Sequence, residues 1–295
     1  MAIIGFIGLG IMGRPMAMNL IKAGYKLIVY DKFAKFDDLV SLGAEGAVSS
    51  KDVASKSEMI FIIMPNYSQV KETILGAGGV TEGLKKGSVV VDMSSTNSEL
   101  CRELCTAIEA KGAAFLDAPV SGTEAAAADG KLSIAAGGDK AAFEKVKPVL
   151  SKLASQVILA GGIGSGHLFK LTNQIIVAAN TAALCEAFVL AAKAGINPNL
   201  IFDAVKDGPA GSKVMDEKLP LILDGNFKPG YSIELLFNDL QNAVETAGTL
   251  EVPMPLTSSI MEILDKLKAD GMAVNDIGAI VRYYEKSAKI DVRKK

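Results

Sequence analysis

The sequence predicts an α/β fold in two parts: a doubly wound sheet over residues 1–164, then an all-helical domain over residues 165–295. Three observations carry this expectation. Short β-branched runs alternate with helical apolar spacing through the first half. A glycine turn, "GLGIMG", follows the first run and opens the first helical pattern. After a glycine cluster, "AGGIGSG", the strand pattern stops and only helical periodicity remains.

Each element follows from its own residues. "IIGFIG" (3–8), "KLIVY" (26–30), "MIFIIM" (59–64), "SVVVD" (88–92) and "AAFLDAPV" (113–120) read as strands. Continuous apolar runs of this kind suit a parallel sheet covered on both faces. "KLSIAAGG" (131–138) and "QVILAGG" (156–162) predict two more strands at the end of the sheet. Between strands, "RPMAMNLIKAG", "YSQVKETIL" and "SELCRELCTAIEAKG" have helical spacing, and two of them end in Ala-Gly or Lys-Gly stops. Helices are expected over 167–194, 198–207, 212–223, 232–249 and 256–287.

With 49% hydrophobic and 22% charged residues, the chain can build a sizeable core. A net charge of −2 leaves no basic footprint for nucleic acid. The three cysteines (Cys101, Cys105, Cys185) form no CxxC, which points to a reducing, cytoplasmic setting. Cys101 and Cys105 lie one helical turn apart and read as packing residues. "QIIVAANTAALCEAFVLAAKAG" is apolar enough to suggest a membrane span, but Asn180 and Glu186 sit within it. A charge at a bilayer centre costs about 3 kcal/mol, so a buried helix covered by another domain or subunit is the expectation.

Gly8, Gly10 and Gly13 form a GxGxxG pattern between a strand and a helix, the context that makes it a dinucleotide fingerprint of the Rossmann type. The first glycine permits the tight turn, the second lets a pyrophosphate approach, and the third lets helix and strand close up. Ile11 and Met12 complete this loop. Asp31 ends the second strand about twenty residues on, where an acid binds the ribose hydroxyls and favours NAD over NADP. Lys32 beside it softens that preference, so NADP stays open. The competing reading of Asp31 is a surface cap for the next segment.

The stretch "GFIGLGIMGRPMAMNLIKAG" resembles the N-terminal signature of the β-hydroxyacid dehydrogenase family. The likeness continues through "MPNYSQV", "VDMSS", "DAPVSG", "GSGHLFKLTNQ" and "NDLQNA", covering nearly the whole chain. Within the family, "GPAGSKVMD" and "NFKPGY" are most similar to the tartronate semialdehyde (2-hydroxy-3-oxopropionate) reductases. The resemblance implies an NAD(P)H-dependent reductase of short semialdehydes, for example tartronate semialdehyde to glycerate. Alternatives are a 3-hydroxyisobutyrate dehydrogenase or a glyoxylate or succinic semialdehyde reductase. More remote are a 6-phosphogluconate dehydrogenase, for which no Arg/His phosphate cluster is visible, an imine reductase, and a non-catalytic nucleotide-binding module. A homodimer or homotetramer is expected, with a small carboxylate as substrate and no metal.

The resemblance also implies roles. Lys170 is the catalytic proton donor, and Asn173, three residues on along one helical face, orients it or the substrate. A lysine with a reference pKa of about 10.4 is protonated at neutral pH and can supply a developing alkoxide. Snorkelling from an apolar helix is its bland alternative. Ser121, Gly122 and Thr123 hold the substrate carboxylate; relatives usually have a second glycine at the Thr123 position. Met64, Pro65, Asn66 and Val70 line the cofactor, and Ser95 and Thr96 face the nicotinamide ribose. Asp239 lies near the site, where relatives precede it with a cofactor-binding lysine and this chain has Asn238. Tyr231 is read as a pocket residue or a packing aromatic. The only histidine, His167, reads as a surface or packing residue.

Overall fold

The computed structural model describes residues 2–293, which divide into two compact units between Lys170 and Leu171. The sequence placed the boundary at 164/165, before the long helix; the compact units divide inside that helix.

The first unit runs β1 (Ile3–Ile7), α1 (Gly13–Lys22), β2 (Lys26–Tyr30), α2 (Asp37–Ser41), β3 (Glu45–Gly46), α3 (Ser50–Lys56), β4 (Met59–Ile62) and α4 (Tyr67–Leu75). It continues with β5 (Val89–Asp92), α5 (Ser98–Glu109), β6 (Ala114–Asp117), β7 (Val120–Ser121), α6 (Glu124–Ala128), β8 (Leu132–Gly138), α7 (Lys140–Leu150) and β9 (Ala154–Gly161). The sheet order is β3-β2-β1-β4-β5-β6-β8-β7, with β9 paired to β8. Strands β1 to β6 are parallel, and β8 runs antiparallel to β6 and β7. This is the doubly wound sheet expected, with the chain reversing direction across the sheet between β1 and β4.

Alternation along each strand feeds two cores. Ile4, Phe6, Leu27, Val29, Phe61 and Val91 join Met16 and Leu20 of α1 and Phe143 of α7 on one face. Ile7, Ile28, Ile60, Ile62 and Val90 join Val53, Val70, Ile74, Leu100 and Leu104 on the other. Both faces are therefore covered by helices, which is why these strands tolerate unbroken apolar runs.

The run read as one strand over 113–120 divides into β6 and β7 at Ala118-Pro119. Proline has no N–H to give the ladder, so the pairing stops there. The two-residue β3 lacks the length and β-branching that mark a strand, and the sequence did not predict it.

The second unit holds most of α8 (Ser165–Lys193), then α9 (Pro198–Val205), α10 (Lys213–Leu223), α11 (Ile233–Thr249), α12 (Pro255–Ala269) and α13 (Val281–Ala288). Leu219, Ile233, Leu236, Leu240, Leu264 and Ile280 centre its core, with Ala178, Cys185 and Phe188 of α8. The single helix expected over 256–287 is interrupted after Ala269: "ADG" places Gly271 at φ +82°, which stops α12. A 3-10 turn at Ile277–Ile280 restarts the chain into α13. By length and composition alone, α8 is the one helix among the described residues able to cross a membrane, with a mean hydropathy of 2.0. In the second unit it buries Ala178, Ala182, Cys185, Phe188 and Val189 and leaves Ile176 and Leu190 exposed.

Candidate active site

Register puts the candidate residues of the first unit on one edge of the sheet. Tyr30, Ile7, Ile62, Asp92 and Asp117, the last residues of β2, β1, β4, β5 and β6, are consecutive cross-strand partners. The segments that follow them carry Asp31, Gly8–Gly13, Met64–Asn66 and Ser95–Thr96. Ligands of open α/β sheets bind at this carboxyl edge, beside the switch in strand order.

The three glycines differ in what surrounds them. Gly8 has φ +98°, and a Cβ there would lie 2.1 Å from the Ile63 carbonyl. A Cβ on Gly13 would lie 2.0 Å from the Gly8 carbonyl, so α1 can pack only with glycine there. A Cβ on Gly10 would meet nothing within 4 Å. The protein itself does not need glycine at that position, whereas a pyrophosphate approaching the backbone would. Ile11 is 72% exposed beside it, and Met12 is half-buried. The residues present thus fit a dinucleotide.

Asp31 serves structure as well as any ligand. Its Oδ2 accepts the Leu9 N–H at 2.7 Å, and its Oδ1 accepts Phe33 and Ala34 N–H groups, both at 2.7 Å. A carboxylate has about four acceptor sites, so room remains for a ribose hydroxyl. Lys32 is exposed and paired with Glu72 at 2.9 Å.

Several residues assigned to the cofactor turn inward. Val70 is fully buried in the core under α4, so it supports the loop and does not line it. Asn66 is the N-cap of α4, its Oδ1 accepting Gln69 N–H at 3.0 Å, while Pro65 is exposed. Met64 donates its N–H to Ser94 Oγ at 2.9 Å, tying the two loops together. Ser95 remains half-exposed, but Thr96 is 2% exposed, with its hydroxyl 2.7 Å from His167 Nε2. Its side chain therefore does not face a ribose.

Thr96 belongs to a buried polar cluster that sequence reading missed. His167 is 1% exposed, so of the two readings, surface or packing, the surface one is overturned. Its Nδ1 lies 3.2 Å from Asp117 Oδ2 and 3.3 Å from Cys101 Sγ. Asp117 also accepts Gly164 N–H at 2.7 Å on Oδ1 and His167 N–H at 3.0 Å on Oδ2. Burial pulls the imidazole down, but the Cys101 sulfur and the Asp117 carboxylate outweigh it and push it up to about 10. Because burial also pushes the Cys101 thiol up, Asp117 is the partner that sustains an imidazolium. Burial raises the Asp92 carboxyl as well, and its Oδ2 has no hydrogen-bond partner. Cys101, Asp117 and His167 place three donor atoms within 4.8 Å of one another, and these hydrogen bonds already pair them. One sequence signal was available: "VVVD" and "FLD" both end apolar strands on an acid.

Lys170 lies one turn beyond His167 on α8, and its Nζ donates to the Val120 carbonyl at 2.8 Å. That carbonyl precedes Ser121, so the ammonium sits beside the segment expected to hold the substrate acid. Ser121 is half-buried at the end of β7, and Gly122 has φ +142°. Thr123 caps α6, its Oγ1 accepting Ala126 N–H at 3.2 Å. The helix it opens spans only Glu124–Ala128, because "ADG" ends it at once.

In the second unit, Gln174 gathers the remaining candidates. Its Nε2 donates to Asp239 Oδ2 at 2.9 Å and to the Tyr231 hydroxyl, which itself donates to Asp239 Oδ2. Asn173 Nδ2 donates to Gln174 Oε1 at 2.8 Å. Burial and the neighbouring Asp239 raise the Tyr231 phenol well above its ordinary value, so it stays protonated and donating. Asp276 bonds Lys218 at 2.7 Å and accepts Tyr231 N–H at 3.3 Å, holding the backbone that presents the ring. Asn238, beside Asp239 on α11, is exposed.

Comparison with known proteins gives two matches that together span most of the chain. Residues 3–162 match the NAD binding domain of 6-phosphogluconate dehydrogenase, and residues 164–284 match the NAD-binding domain of NADP-dependent 3-hydroxyisobutyrate dehydrogenase. A 2-hydroxy-3-oxopropionate reductase of Escherichia coli is 39% identical, the alignment covering 96% of this chain and 97% of that one. The mitochondrial 3-hydroxyisobutyrate dehydrogenase of Rattus norvegicus is 33% identical over 95% and 86%. Among solved structures, a 3-hydroxyisobutyrate dehydrogenase of Mycobacterium tuberculosis with L-serine superposes with a TM-score of 0.88 at 28% identity, covering 96% and 99%.

Proposed function

Because the chain belongs to the β-hydroxyacid dehydrogenase family of NAD(P)-dependent oxidoreductases, we propose that it reduces tartronate semialdehyde (2-hydroxy-3-oxopropanoate) to glycerate. The observation that carries this reading is the placement of Lys170 Nζ on the Val120 carbonyl, next to Ser121. Ser121 and the Gly122–Thr123 backbone bind the carboxylate, which sets the aldehyde beside the ammonium. A nicotinamide dinucleotide held by the Gly8–Gly13 turn and Asp31 would, when bound, supply the hydride for the aldehyde carbon. Lys170 then delivers a proton to the oxygen that becomes the alkoxide, and in the reverse direction its neutral amine takes that proton back. Asn173, held by Gln174, orients substrate or lysine.

A second reading, 3-hydroxyisobutyrate as the alcohol, is supported by the structural likeness to such dehydrogenases. It differs in the substituent beside the carboxylate, where Thr123 replaces the family's usual glycine and narrows the space. The exposed Ile176 and Leu190 on α8 support a homodimer or homotetramer, and we place the protein in the cytoplasm.

Steady-state assays with NADH and NADPH against tartronate, methylmalonate and succinic semialdehydes and glyoxylate test the assignment. Tartronate semialdehyde is expected to show kcat/KM about ten-fold above the others, with NADH preferred. No turnover of any of them with either cofactor would sink the reading.

A further inference from the structure

We propose that His167 is a positioning residue for Lys170: it fixes the first turn of α8 against the Ser94–Thr96 loop and thereby sets where the ammonium meets the reacting carbonyl. The proposal rests on the reading of Lys170 as proton donor.

Gly164, the residue before the helix, carries no side chain, and Asp117 at the end of β6 takes the capping role from 47 residues away. Space for this is made by glycine. A Cβ on Gly166 would lie 2.4 Å from the Asp117 carbonyl, and one on Gly137 would lie 2.5 Å from Asp117 Oδ1. These main-chain bonds hold the first turn at β6 but do not tie it to the loop after β5.

The His167 side chain makes that tie. Its Nδ1 engages Asp117, while Nε2 reaches the Thr96 hydroxyl in the loop after β5. One side chain thus ties the helix that carries Lys170 to the loop that carries Ser95. A rise of about 1.5 Å per residue means that a one-residue slide would displace Lys170 by more than proton transfer tolerates. Simple packing does not account for this arrangement. An apolar side chain would fill the same space without drawing a hydroxyl, a thiol and a carboxylate into a site 1% exposed.

Thr96→Val is the informative variant, since it removes the partner of Nε2 and keeps nearly the same shape. We expect kcat to fall about ten-fold, with NADH affinity and KM within about two-fold of wild type. The solvent isotope effect on kcat should rise as proton delivery becomes limiting. His167→Ala should show a larger loss, and His167→Gln, whose amide can reach Thr96, should recover part of it. A folded Thr96→Val protein with wild-type kcat and isotope effect overturns the proposal, as does an equal fall in NADH affinity. Failure of His167→Gln to improve on His167→Ala also counts against it. Lys170→Ala is run alongside: if it keeps turnover, the reading of Lys170 has failed and the proposal falls with it. If it is inactive while Thr96→Val is normal, only the role of His167 has failed.

Discussion

Lys170 Nζ donates to the Val120 main-chain oxygen at 2.8 Å, and Ser121 is the next residue along β7. A main-chain acceptor orients the ammonium without adding a second charge to the segment that would receive an acid. Lys170→Met should therefore cut kcat for semialdehyde reduction by about 10³-fold and leave NADH binding unchanged. Lys170→Arg should stay nearly as slow, because a guanidinium cannot release a proton in this range. Steady-state kinetics with a fluorescence titration of NADH checks both.

The glycine loop offers a separation of folding from binding. Gly10→Ala should melt at the wild-type temperature and lose NADH affinity about ten-fold or more, since only a ligand comes close to that position. Gly13→Ala should melt lower by several degrees even without cofactor, because its Cβ would meet a main-chain oxygen. Calorimetry with and without NADH distinguishes the two, and equal loss of stability would refute the assignment of Gly10.

Gln174 is expected to matter through the two groups it satisfies. Gln174→Leu leaves Asp239 and the Tyr231 hydroxyl short of a buried donor and should cost about 1–3 kcal/mol in urea unfolding. It also frees Asn173, so KM for the semialdehyde should rise more than KM for NADH.

The buried imidazole gives a pH signature. Its folded pKa is raised, from 6.5 to about 10, so the folded chain holds a proton that the unfolded chain has released. That contribution is complete below about 6.5 and is lost as pH rises through the folded value near 10. The melting-temperature advantage of wild type over His167→Asn should therefore shrink between those limits. An advantage that grows with pH would contradict an imidazolium–Asp117 pair.

What the sequence revealed was whatever depends on neighbours along the chain. The strands of the first unit follow from apolar runs, and the glycine turn from its place between a strand and a helix. The break after Ala269 was written in "ADG", whose Gly271 takes a positive φ, and the helical reading ran past it. Side-chain direction was less legible. Val70 and Thr96 sit in segments of the right kind yet face the interior: Val70 lies on the buried face of α4, and Thr96 turns from the loop after β5 toward His167. His167 and Gln174 gain their meaning from partners 50 and 65 residues away, and no local pattern encodes such a pairing.

The cap supplied by Asp117 has a consequence for how the chain comes into being. During synthesis the first turn of the Lys170 helix emerges long after β6, and it can close only onto a strand already in place. A fragment cut at the glycine cluster would keep every residue of that helix from Ser165 onward. It would nonetheless present Lys170 on a fraying end, with two main-chain donors left to water.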